Sequence, residues 1–175
     1  MTPVGKARWP GFALLGLAGL LFAAGVASIW SGASRHAGRE NAAATATAAA
    51  STFVRAYGTY DAPVRAEYIE SLAALAGGPL REAIEAAALD EEALRHQRRA
   101  ATQVQSSAVT ALSDDTATVA VTALQRRRWS DPSLGQSQHE QLRQVVICRL
   151  VRVDGQWLVV ELRLQSEEAV DARRR

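Results

Sequence analysis

A long uncharged run near the amino terminus constrains this chain more than any other feature. Residues 9–34 are 26 consecutive positions without a charge, between Arg8 and Arg35. A helix rises about 1.5 Å per residue, so about 20 apolar residues span a hydrocarbon core of roughly 30 Å. The run therefore predicts a transmembrane helix over residues 9–31, after a short cytoplasmic tail at 1–8. The predicted anchor side chains are Trp9, Leu14, Leu15, Leu17, Leu20, Leu21, Phe22, Val26, Ile29 and Trp30.

A cleaved signal peptide is the alternative interpretation of this run. Lys6 and Arg8 suit its amino-terminal region, and the small residues at 25–27 or 31–33 resemble a cleavage site. Signal-peptide cores run about 7–15 residues, whereas the apolar centre at 11–29 is longer. The uncleaved anchor is favoured, and a short tail before a long domain places that domain outside the cytoplasm, at the inner membrane.

The charge balance of the remaining chain argues against a nucleic-acid function. Lys6 and Arg8 precede the apolar run and every acidic residue lies at or after Glu40, which leaves 18 basic and 18 acidic residues. A neutral domain has no net field for gathering phosphates. Cys148 is the only cysteine, which excludes an intramolecular disulfide and a multi-cysteine zinc site. We therefore expect no nucleic acid, no metal and no cofactor.

Helix signals dominate the chain between the anchor and residue 100. The alanine-rich segment at 40–57 predicts a helix whose first part belongs to a stalk or linker at 32–50, with a flexible spacer up to Ser51 as the alternative. Asp61 followed by Pro63 is typical of a capped helix start, and Gly77-Gly78 ends that helix. Pro79 opens another helix, and acidic residues at 90–92 before basic residues at 95–99 indicate a third.

After Ala101 the apolar period becomes two, which predicts strands at 104–112, 117–129, 142–153 and 157–164. Asp154-Gly155 predicts a tight hairpin between the last two strands, because such turns need positive φ angles. The fold class is therefore α+β, with about three helices on a curved antiparallel sheet of at least four strands over 51–165, and a polar tail at 166–175. The predicted core residues are Phe53, Tyr57, Leu72, Leu75, Val119, Val121, Trp157 and Val160.

Two motifs carry a resemblance to a known superfamily. The run at 53–57 followed by Thr59-Tyr60-Asp61 resembles the start of membrane-anchored domains of the nuclear transport factor two-like superfamily. The pattern at 151–159, in which aspartate and glycine precede Trp157, resembles that superfamily's last hairpin. The resemblance implies a cone-like domain. It also implies one of two non-enzymatic roles, an inner-membrane scaffold of conjugation or type IV secretion machines or a mammalian-cell-entry-associated accessory protein of lipid importers.

Few residues are candidates for catalysis or metal binding. Asp61 is the best candidate for a catalytic carboxylate in the cone, with Tyr57 or Tyr60 as donors, although an ordinary helix cap is the favoured interpretation. Glu161 is a second candidate, which could equally face water beside Arg149 or Arg163. His36, His96 and His139 have no partner at helical spacing and are interpreted as solvated surface groups, with His139 in a loop.

A run of three arginines and a tryptophan, Arg126 to Trp129, is the most distinctive charged segment. It would end the second strand, and 130–135 would form a loop. Alternation predicts Arg126 and Arg128 on one face and Arg127 on the other. A solvated sheet edge is one interpretation, and a docking patch for an acidic partner surface is the other.

Together these features predict a non-catalytic, single-pass membrane protein that serves as a scaffold or accessory subunit of an envelope transport machine, of the conjugation or secretion type. Its expected partners are the lipid bilayer and other envelope proteins, with self-association as an option. The alternatives are a lipid-import accessory protein and a cavity-bearing ligand-binding or isomerase-like domain.

Overall fold

A computed structural model of the chain describes residues 37–61, 65–87, 98–131 and 136–170. The predicted anchor at 9–31, the tail at 1–8, His36 and His96 lie outside these ranges. No helix among the described residues is long and apolar enough to cross a bilayer. The chain divides into two units, Met1–Ala42 and Ala43–Arg175, and apart from the first six residues of one helix the architecture below is that of the second.

Helix α1 covers residues 37–58, so the alternative of a flexible spacer does not apply to this segment. Its buried residues are Ala46, Ala50, Phe53 and Val54. These positions are spaced by four, three and one residues, which places them on one face of a helix. Ala46 and Ala50 allow the middle of α1 to lie close to the sheet, and Phe53 is the large side chain that fills the core beneath it.

Two shorter helices follow, α2 at Arg65–Leu75 and α3 at Gly78–Glu85. Pro79 lies in the first turn of α3, as predicted, since that position needs no backbone N–H. The third helix predicted at 90–99 falls mostly outside the described residues, and Arg99, assigned to its end, instead begins a strand.

The sheet has five strands in the order β1-β2-β3-β4-β5, and every neighbouring pair is antiparallel. The strands are β1 Tyr60–Asp61, β2 Arg99–Leu112, β3 Thr116–Asp131, β4 Gln136–Val153 and β5 Gln156–Ala169. The predicted α+β class is confirmed, with three described helices on a curled antiparallel sheet. β5 also takes in 166–169, which the sequence assigned to the polar tail.

Four irregularities in the register explain the curl of this sheet. They lie at 104–106 and 109–111 in β2, and beside 145–146 and 149–150 of β4, where β5 carries the extra residue. A bulge inserts one residue into one strand, bends that strand and increases its twist. Long strands with repeated bulges therefore curve around α1 rather than lying flat.

The predicted hairpin between β4 and β5 is confirmed. Asp154 and Gly155 both have positive φ angles, 50° and 82°, and they separate two directly paired strands. These angles are those of a primed turn, whose twist matches the twist of the flanking strands.

The core lies between α1, α2 and the concave face of the sheet. Phe53, Val119 and Val121 are fully buried, and Leu72 and Trp157 are nearly so. The indole of Trp157 donates a hydrogen bond of 3.1 Å to Thr45 Oγ1 and so fixes the hairpin end of the sheet to the third turn of α1. Leu75 is partly buried.

Two residues assigned to the core are placed differently. Tyr57 is 50% exposed, because α1 reaches the open end of the sheet there, although its ring still stacks on Phe53 at 6.1 Å. Val160 is partly exposed because it is the extra residue of a bulge between Val159 and Glu161. Trp157 and Val159 face the core before the bulge, and after it Leu162 pairs with the buried Cys148.

Strands β3 and β4 extend further than the sequence indicated. Residues 126–129 do not end β3, which continues to Asp131, and His139 lies in β4 rather than in a loop. The solvated-edge interpretation of the arginine run is also wrong, since β3 has β2 and β4 on its two sides.

Candidate functional site

A cluster of basic side chains lies on the outer face of the sheet, at the end where α1 finishes. Arg99 of β2 is directly opposite Arg128 of β3, which is directly opposite His139 of β4. Arg126 points to the same side two residues along β3. All four side chains are exposed. We call these four residues, Arg99, Arg126, Arg128 and His139, the basic face.

The charges of the basic face are mostly uncompensated. Arg99 Nε is 3.3 Å from Asp61 Oδ1, and both side chains are about half exposed. That oxygen is shielded from solvent and accepts no hydrogen bond from the described residues, so the contact is one of charge alone. Within the same ranges, neither Arg126 nor Arg128 has an ion-pair or side-chain hydrogen-bond partner.

Arg127 points to the concave face, as the alternation predicted. Its guanidinium lies 3.1 Å from Glu167 and 3.8 Å from Glu140, and its Nε donates a 2.6 Å hydrogen bond to Gln125 Oε1. Gln144 donates to Glu167 in the same network. This arginine therefore joins β3 to β4 and β5, and its charge is neutralised within the domain.

A buried polar group ends α1 beside this network. The carbonyl oxygen of Gly58 accepts hydrogen bonds from Thr102 Oγ1 at 2.7 Å and from Gln125 Nε2 at 2.9 Å. Carbonyls in the last turn of a helix have no partner within the helix and need one elsewhere. Thr102 and Gln125, both over 90% buried, supply it and fix the end of α1 against β2 and β3.

A cleft of about 1070 Å³ opens on the concave side at the same end of the domain. Tyr60 and Tyr68 form part of its wall, with their rings edge to face at 5.3 Å, and the Tyr68 hydroxyl donates a 2.6 Å hydrogen bond to the Tyr57 carbonyl. Arg127, Glu140 and the four residues of the basic face also line it. The cleft therefore has an aromatic side and a charged side.

The candidate catalytic residues occupy separate surroundings. Asp61 lies in β1 opposite Arg99, at the margin of the cleft, whereas the described part of α2 begins only at Arg65. Glu161 faces water beside Arg149, at 3.6 Å, because the bulge at Val160 turns it away from the face of Trp157. Within the described ranges, no three histidine, cysteine or carboxylate side chains are grouped to hold a metal ion.

Cys148 is buried on β4, and loss of hydration raises the pKa of its thiol to about 12. Burial penalises the charged thiolate, so the group stays protonated and unreactive at neutral pH. Its position opposite Val119 and Leu162 is that of a small core side chain.

The sequence singled out the arginine run but not the residues around it. Gln125, Thr102 and Glu140 were missed because polar side chains at these positions interrupt the apolar alternation. The alternation of β3 could have identified Gln125. Residues 117, 119, 121 and 123 are buried, and the next two residues on the same face of the strand are Gln125 and Arg127. The partners on β4 and β5 depend on strand register and carry no local signal.

Comparisons with known proteins are sparse. No protein-family model matches the sequence, and no curated protein matches it. Among solved structures, an IcmL-like type IV secretion system protein from Legionella pneumophila overlaps with a TM-score of 0.48 and 12% identity, over 71% of this chain and 91% of that chain. An overlap of this size identifies neither a family nor a function.

Proposed function

We propose that this chain is a non-catalytic, single-pass membrane protein that docks a partner protein of a bacterial envelope transport machine, of the conjugation or secretion type. The anchor pattern at 9–31 and the motifs at 53–57 and 151–159 support a membrane-held domain of this kind. The observation that carries the docking role is the basic face, Arg99, Arg126, Arg128 and His139.

The energetics of the sheet favour a binding role for this cluster. Like charges directly opposite each other on neighbouring strands destabilise a sheet by roughly 0.2–1 kcal/mol per pair. Arg99 and Arg128 are such a pair, and Asp61 offsets only one of the two charges. A cluster that opposes folding and has no internal counter-charge at Arg126 or Arg128 is suited to an anionic group supplied from outside.

The basic face lies at one end of the domain, away from the hairpin between β4 and β5. Thr45, near the start of the second unit, contacts Trp157 at the hairpin end, whereas Gly58 contacts Thr102 near the basic face. A helix rises about 1.5 Å per residue, so these two ends are about 20 Å apart. The basic face therefore lies at the opposite end from the one where the chain enters the domain.

Site-specific photo-crosslinking in intact cells tests this role. A photoreactive residue at Ala101, which is exposed on β2 opposite Arg126, is expected to yield a crosslink to another envelope protein. Ala111 is the matched control, an exposed alanine of the same strand opposite Thr118 at the other end. The Ala101 product should fall about tenfold with Arg126→Glu and Arg128→Glu, because reversing two contact charges costs at least about 1.4 kcal/mol of binding.

The comparison of crosslinking at Ala101 with crosslinking at Ala111 decides whether docking occurs at the basic face. Equal products at Ala101 and Ala111, or a product at Ala101 that survives both charge reversals, would contradict docking at the basic face. An identified partner that is a cytoplasmic protein would contradict the proposed location.

The cleft supports a second candidate function, a ligand-binding domain. Its volume of about 1070 Å³ is of the size of small-molecule sites, and Tyr60 and Tyr68 give it an aromatic wall. Arg127 on its charged side is already neutralised by Glu167, whereas the other arginines that line the cleft, Arg99, Arg126 and Arg128, are those of the basic face. We rank this function second because Arg127, whose side chain points to the concave face, is engaged within the domain, and the arginines without an internal partner among the described residues, Arg126 and Arg128, belong to the basic face.

A further inference from the structure

We propose that the partner segment bound by the basic face is an acidic α-helix that lies across the strands, with carboxylates one turn apart along one side. This inference rests on the docking role proposed above and names the chemistry and the form of the partner. It follows from the spacing of the four basic residues.

The row formed by Arg99, Arg128 and His139 runs perpendicular to the strands. Neighbouring strands lie about 4.8 Å apart, so the row is about 10 Å long from its first to its last Cα atom. Arg126 stands beside the row, about 6.6 Å along β3 from Arg128. The cluster is thus a short line of three groups with a fourth at its side.

A helix matches this length better than an extended segment does. Helix positions i, i+4 and i+7 share one face and span about 10.5 Å, because seven residues rise about 1.5 Å each. Three alternate residues of an extended chain span about 13 Å, since same-face side chains are about 6.6 Å apart. A helix laid along the row can therefore bring three carboxylates to the three basic groups together.

The surroundings of the row leave room for a helix. Ala101 and Gln141 flank Arg126 on β2 and β4, and Ala101 is exposed. The short alanine side chain allows a helix to approach the sheet beside the arginines. Carboxylates are the matching groups, because arginine donates two parallel hydrogen bonds to one carboxylate.

Peptide binding to the purified full-length protein in neutral detergent tests the proposal. The probe is an alanine-rich helical peptide with glutamates at positions i, i+4 and i+7. The control peptide, its isomer, has the same composition, but its three glutamates lie on different faces of the helix. We expect the one-sided peptide to bind about tenfold more tightly than the isomer, and the affinity to fall with added salt.

Charge reversals within the protein locate the binding. Arg128→Glu, at the centre of the row, is expected to lower the affinity for the one-sided peptide about tenfold. Arg163→Glu is the matched control, because Arg163 is exposed on the outer face of β5 and lies outside the basic face. It should leave the affinity within about twofold.

Three outcomes would overturn the proposal: equal affinity for the two peptides, equal effects of the two substitutions, or binding only to phosphatidylglycerol vesicles. None of these would remove a crosslink at Ala101 that depends on Arg126 and Arg128. Failure of the helical form and failure of the docking role are therefore separate results.

Discussion

Replacing Phe53 by alanine is expected to lower the free energy of unfolding by about 3–5 kcal/mol, the usual cost of removing a buried aromatic ring. Phe53 is fully buried and is the largest such side chain among the described residues. It projects from α1 into the core, where α1 otherwise presents mostly small side chains. The loss is measured by denaturant unfolding of the full-length protein in detergent, followed by tryptophan fluorescence.

Tyr57→Ala is the matched control for this prediction. Tyr57 lies one turn further along the same helix and stacks on Phe53, but half of its surface is exposed. Tyr57→Ala therefore removes only about half as much buried apolar surface, so we expect the free energy of unfolding to fall by about 1 kcal/mol. Equal losses for the two variants would show that Phe53 does not hold α1 on the sheet.

Gly58→Ala is expected to destabilise the domain by about 2–4 kcal/mol, from overpacking and the loss of one buried hydrogen bond. A Cβ atom at this position would lie 2.2 Å from Thr102 Oγ1 and 2.9 Å from Thr102 Cβ. These atoms sit close to a β-strand backbone and cannot swing away as the end of a long side chain can. The clash would displace the hydroxyl that donates to the Gly58 carbonyl.

Gly38→Ala controls for the general effect of alanine in α1. A Cβ atom at Gly38 meets nothing within 4 Å, so the substitution should stabilise the helix by up to about 1 kcal/mol. Opposite signs at the two glycines in chemical denaturation are the expected result. Stabilisation at both positions would mean that the end of α1 is not held against Thr102.

Much of the fold could be predicted because local chemistry specifies it. The hairpin at Asp154 and Gly155 follows from the φ angles that its turn requires, and the helical face of α1 follows from the spacing of Phe53 and its small neighbours. The arginine run was recognised from composition alone, and the split of Arg127 from Arg126 and Arg128 followed from alternation.

The remaining errors have two physical causes. Strand β4 begins at Gln136 rather than at the predicted Leu142 because backbone hydrogen bonding does not depend on apolar side chains, whereas the prediction began at the first apolar residue. Val160 was wrongly assigned to the core because it is the extra residue of a bulge, and a shift of one residue turns every later side chain over. Neither the pairing of Arg99 with Arg128 nor the position of the bulge can be predicted from the local sequence.

Membrane fractionation with protease access, followed by the intact mass of the protein, tests the central claim of a membrane-held docking domain most directly. We expect a protein that stays in the membrane after a high-salt wash, is digested only from the outer side, and retains residues 1–33. A product that begins after Ala27 or Ala33 and is free in solution would contradict the anchor and the role built on it.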